Sequence, residues 1–182
     1  MRLSDLSPHA DTLAAVVLGA LLATVSGVIA NLFEARIRRR ERERAAALLF
    51  GEVLSTLRVV LEGAEAVRGR GDPYGPVTRR MLRTARRELD IYDRNREALM
   101  DLQDYRLRAD LNRLAVRLAM PLDGMLDSFA AGGVADEVRD RSFAFMRQTL
   151  QEIAPIVARL GRVAGASFDH YDAMPRPGTA GA

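Results

Sequence analysis

From Thr12 to Phe33 the chain runs for 22 residues without a charged side chain, and the next 11, Glu34 to Arg44, carry six arginines. A helix rises about 1.5 Å per residue, so the apolar run reaches roughly 33 Å, enough for a hydrocarbon core of about 30 Å. One transmembrane helix over 12–33 is therefore expected. Ser7 followed by Pro8 reads as an N-cap with proline at the first helical position, which starts the helix ahead of the apolar run.

Beyond Ala46 the apolar rhythm changes. Phe50, Val53, Leu57, Val60, Ala64 and Val67 alternate spacings of three and four, the a/d pattern of a helix that packs lengthwise. Leu54 and Leu61 widen that face, which suits a multi-helix bundle better than a two-stranded coiled coil. Because no proline or turn signal separates Pro8 from Arg68, a single helix should leave the membrane and enter the bundle, weakened slightly by Gly51 and Gly63.

Gly69 to Pro76 is dense in glycine and proline and breaks the helix. A second helix should start near Pro76 or Val77, turn Met81, Leu82, Ala85 and Leu89 inward, and pause near Asn95 before Leu99 and Leu102. Asp104 is the N-cap expected for a third, whose Leu107, Leu111, Leu114, Leu118, Leu122, Met125 and Phe129 keep helical spacing. Pro121 should kink or split it, and Gly132-Gly133 should close it. A fourth helix is expected from about Val134 to Ala164, bent at Pro155, burying Val138, Phe145, Ile153, Ile156, Leu160 and Val163.

The pattern gives an all-α protein: a short outer segment (1–11), a transmembrane helix (12–33) continuous with a cytoplasmic bundle of about four helices (34–168), and a disordered tail (169–182). Composition agrees, with 5% aromatic residues and no Trp. Zero cysteines exclude disulfides, thiolate nucleophiles and Cys-ligated metals. All 27 basic residues are arginine, a bias expected of a GC-rich bacterial genome, and the net charge of +3 is too small by itself to imply nucleic acid.

Arg36, Arg38, Arg39, Arg40, Arg42 and Arg44 follow the span, whereas Arg2 precedes it beside Asp5 and Asp11. The positive-inside bias then puts the amino terminus outside and the rest in the cytoplasm, at a bacterial inner membrane. A cleaved secretory signal is opposed by the weak basic n-region, the long apolar run and the arginines that follow at once. Each collar arginine can also gain about 1 kcal/mol from anionic headgroups. Within the span, Ala15, Gly19, Ala23 and Gly27 recur every four residues, a small-residue face that permits close self-association in lipid, although alanine-rich helices produce such spacing by chance.

Catalytic chemistry is missing from the pattern. A phosphate-binding loop of the GxxxxGK[ST] type needs a lysine, and Gly69-x-Gly71 lacks the preceding strand and third glycine of a dinucleotide fingerprint. The two histidines, His9 and His170, have no carboxylate three residues ahead, so a helical di-iron site is not supported. Asp169-His170-Tyr171-Asp172 offers a metal one imidazole from a tail, a weak site. Glu88, Asp90, Asp93, Glu97, Asp101 and Asp104 interleave with Arg86, Arg87, Arg94 and Arg96 as a solvated face would. Arg70-Gly71-Asp72 matches an adhesion tripeptide but falls in the segment expected inside the cell. Arg79, Arg80, Arg83, Arg86 and Arg87 form an acid-free cluster, of which Arg79, Arg83 and Arg86 share one side of the second helix and make a candidate patch for an acidic partner.

The function expected is a membrane-tethered helical interaction or scaffold module, non-enzymatic and without cofactor or metal. Its partners would be membrane lipid and either a second copy or another membrane protein. Transmembrane signal relay is one alternative, disfavoured by the short outer segment. Tethering of nucleic acid through the second-helix arginines is another, disfavoured by the lack of interleaved aromatics.

Overall fold

The computed structural model describes residues 7–70, 73–131 and 136–168, with side chains from Val16 onward except Ala131. Every regular element among them is helical: α1 (Ser7–Arg68), α2 (Pro76–Arg94), a 3₁₀ turn (Arg96–Asp101), α3 (Tyr105–Ala131), α4 (Asp136–Leu150) and α5 (Ile153–Ala164). The chain divides into two compact units, Met1–Glu41 and Arg42–Ala182, with α1 contributing to both.

The first unit is the apolar stretch of α1 and its arginine-rich continuation. Ten large apolar side chains from Val16 to Phe33 are 48–65% exposed. This is one helix long and apolar enough to cross a membrane, and none of that window is buried.

The second unit closes around one apolar core. Phe50, Val53, Leu54, Leu57, Leu61 and Ala64 of α1 are buried, as the a/d spacing requires, with Val60 partly covered. α2 buries Leu82, Ala85, Leu89 and Tyr92; α3 buries Leu107, Leu111, Leu114, Leu118, Leu122 and Met125 and packs on α2, α4 and α5. Each fully buried leucine of this set contributes about 1.5–3 kcal/mol, so the core carries the fold. Asp104 caps α3 as its position predicts: one carboxylate oxygen accepts from the Arg106 and Leu107 amides at 2.9 and 3.1 Å.

Two features of the second half depart from the sequence pattern. Of the kink or split expected at Pro121, the split does not occur: α3 runs through it to Ala131. The single fourth helix is instead two. A proline ring clashes with the carbonyl four residues back, and for Pro155 that residue is Gln151. The chain accordingly turns at Gln151 and Glu152, and Pro155 sits in the first turn of α5, where its missing N–H is no loss. With α4 and α5 out of phase, Val138 and Phe145 are exposed, while Phe143 and Met146 enter the core. Ile153, Ile156 and Leu160 are buried as expected, and Val163 is partly so. The Gly132-Gly133 closure, the start of the fourth helix at Val134 and the tail 169–182 lie outside the described residues.

Arginines join the helices laterally. Arg68 of α1 donates to Asp140 of α4 at 2.9 Å and stands 4.7 Å over the Phe143 ring, while Arg147 pairs with Glu65. Arg117 of α3 pairs with Glu152, and Arg159 of α5 spans Asp104 at 2.9 Å and Asp110 at 2.6 Å. These pairs are partly solvated and worth about 0–1 kcal/mol each, so they orient helices more than they stabilise them.

Candidate functional site

Three candidate surfaces come from the pattern: the apolar helix, the arginine collar after it and the basic cluster of α2. On the first, Gly19, Ala23 and Gly27 are exposed, and a Cβ placed on Gly19 or Gly27 would meet nothing within 4 Å. The Ala15 side chain lies outside the described set. The Thr24 hydroxyl donates to the Ala20 carbonyl at 2.8 Å, so the helix satisfies this polar group internally, as a lipid environment demands.

The collar is open to solvent: Arg36, Arg38, Arg39, Arg40, Arg42 and Arg44 are all exposed. Arg38 pairs with Glu34 at 3.0 Å one turn back, whereas no ion pair among the described residues involves the other five. Glu43 enters no ion pair among the described residues; its two carboxylate oxygens accept from the backbone and side-chain amides of Gln103 at 2.9 Å each.

On α2 the three arginines of the expected patch are separated by their surroundings. Arg79 is half-buried, its guanidinium 5.8 Å from the Phe129 ring centre. Arg86 is tied to Asp123 of α3 at 2.7 Å and to Asp90 at 3.0 Å. Arg83 alone of the three is exposed. The exposed companions are Arg80, Arg87 and Arg94. Their register was legible: Thr78, Leu82, Ala85, Leu89 and Tyr92 define the buried side, and the opposite side holds these residues.

Among the described residues no three or more His, Asp or Glu side chains gather to hold a metal. The side chain of His9 and all of His170 lie outside the described set, as do Gly71 and Asp72 of the adhesion-like tripeptide. A cleft of about 510 Å³ is floored by Val157 and Phe168 and rimmed by Arg58 and Arg162, with no carboxylate or imidazole in its lining.

The acidic positions between Glu88 and Asp104 divide into separate roles. Asp90 and Asp93 face Arg86 at 3.0 and 3.8 Å, and Asp104 caps α3. The hydrogen bond from Arg159 and then the Leu107 amide hold the Asp104 carboxyl below the usual carboxylate range, while burial pushes Glu88 up. No protein-family model, curated protein or solved structure matches this chain.

Proposed function

We propose that this chain is a single-pass inner-membrane protein, amino terminus outside, whose helical bundle is held at the cytoplasmic face and acts by contact, as a scaffold or interaction module. The observation that carries this is the contrast within α1. Val16 to Phe33 leaves every large apolar side chain uncovered, while the same helix from Ala46 to Ala64 buries its apolar face in a closed core. An exposed apolar surface of this size is not stable in water and requires a partner phase. The six exposed arginines beyond it support the orientation through the positive-inside bias.

The test is membrane fractionation with an alkaline wash, together with reporters fused at the carboxyl end. Retention in the washed pellet, a fluorescent cytoplasmic reporter and an inactive periplasmic phosphatase are expected. Release into the supernatant, or an active phosphatase, would refute the proposal. Signal relay remains a second reading, supported by the unbroken course of α1 from Ser7 to Arg68. It requires crosslinks across the span to change under stress, and invariant crosslinks would remove it.

A further inference from the structure

We propose that the solvent face of α2 is a docking face for the phosphate-bearing headgroups of an anionic membrane, engaged through Arg80, Arg83, Arg87 and Arg94; this rests on the anchoring proposed above. At 3.6 residues per turn these four arginines fall within an arc of about 60°, opposite the buried Thr78, Leu82, Ala85, Leu89 and Tyr92. All four are exposed, and none of them enters an ion pair among the described residues. The contrast with Arg68, Arg86, Arg117, Arg139 and Arg159 is sharp, since each of those is paired with a carboxylate.

Within α2 the acidic residue at helical spacing to the stripe is Asp90, three residues after Arg87 and four before Arg94, and its carboxylate is paired with Arg86 at 3.0 Å. Arg80, Arg83 and Arg87 stand three and four residues apart, the spacing at which like charges repel along a helix. α2 has no acidic residue in its first turn, which Arg79 closes at the end that carries the positive pole of the dipole. Local choices that oppose the fold in this way mark a surface shaped by something outside it. An anionic layer would offset the repulsion among Arg80, Arg83 and Arg87.

Membrane phosphate is favoured over nucleic acid on two grounds. The residues flanking the stripe are Val77, Thr84 and Ile91 on one side and Arg79, Arg86 and Asp90 on the other, so it presents no aromatic platform for bases and no amide for reading their edges. An anchored chain also meets headgroups at high effective concentration, so each arginine contributes without a new loss of translational freedom.

Because the chain has no cysteine, Val77→Cys, at an exposed position beside the stripe, gives a unique site for a polarity-sensitive dye. The full chain would be placed in nanodiscs of phosphatidylcholine alone or mixed with phosphatidylglycerol. In the anionic discs, emission should shift to the blue and acrylamide quenching should drop severalfold. Both effects should vanish with Arg80→Gln, Arg83→Gln and Arg87→Gln combined, fade with added salt, and survive the three Lys replacements. Equal quenching in both lipids, with the protein in the disc, overturns the headgroup assignment and leaves the anchor standing. A protein that never enters discs removes both. A duplex DNA mobility shift lost in the Gln variant, with lipid-independent quenching, would overturn the assignment in favour of nucleic acid.

Discussion

Phe168 lays its ring against the bare backbone of Gly51: a Cβ built on that glycine would overlap the ring at its Cζ. The contact closes the bundle, because Phe168 follows the end of α5 and is buried against α1. The approach to it is set by Gly165, whose φ of 68° ends α5 in the left-handed region, with the Ala166 amide donating to the Gly161 carbonyl at 3.1 Å. Gly51→Ala should therefore lose part of the roughly 1.5–3 kcal/mol that burial of the ring supplies, although alanine is intrinsically the better helix former. Gly124→Ala, where a Cβ meets nothing within 4 Å, should instead stabilise by about 0.5–1 kcal/mol. In a Phe168→Ala background the cost of Gly51→Ala should disappear, and thermal melts in detergent followed by circular dichroism would reveal this as a coupling energy.

Phe143 and Phe145 exchange the roles that a single fourth helix gives them. Phe143 is 2% exposed beneath Arg68, and Phe145 is 40% exposed beside Arg117, whose guanidinium lies 5.2 Å from the ring. Phe143→Ala should cost about 3–5 kcal/mol, and Phe145→Ala under about 1 kcal/mol, by the same melts.

How much of the fold can be read in advance depends on how far a helical phase survives. Leu107 to Met125 keep one phase across Pro121, and all six positions of the leucine and methionine run are buried. The phase fails at Gln151, where Pro155 acts four residues back, so a single-helix pattern points Val138 and Phe145 inward and misses Phe143 and Met146, which are the buried pair. The basic surface of α2 was half legible. The cluster is visible as letters, but that Arg86 turns to Asp123 and Arg79 to Phe129 depends on which helix packs beside it, information that no spacing along α2 contains.

Asp104 has two separable roles, as N-cap of α3 and as partner of Arg159. Asparagine keeps the cap, so Asp104→Asn should cost only the exposed ion pair, about 0–1 kcal/mol, whereas Asp104→Ala should add about 1 kcal/mol for the cap. The folded carboxyl titrates below its ordinary value of 3.8, so its contribution is present above that pH and is lost as the pH falls through the folded value. Acid titration of stability should show this limb in the parent and not in either variant.

Alkaline titration isolates the tyrosines, since the chain has no lysine or cysteine and arginine stays charged. Burial pushes Tyr92 up to about 12, and Tyr74 to about 12 by burial and then its hydrogen bond to Asp140. Unfolded tyrosine ionises near its ordinary 10.0, so between that pH and about 12 the unfolded chain holds fewer protons than the folded one. Stability is thus full below the lower value and falls as pH rises through the interval. Tyr92→Phe should flatten part of that slope, and Tyr74→Phe combined with it should flatten most of it. At neutral pH the two substitutions should differ in sign. Among the described residues the Tyr92 hydroxyl is buried without a partner, so its removal should stabilise by about 1 kcal/mol. The Tyr74 hydroxyl donates to Asp140 at 2.5 Å, and its loss should cost about 1–2 kcal/mol. Denaturant midpoints measured at pH values from neutral to the upper limit of the interval would give both results, and a slope unchanged in the double variant would show that other groups control alkaline unfolding.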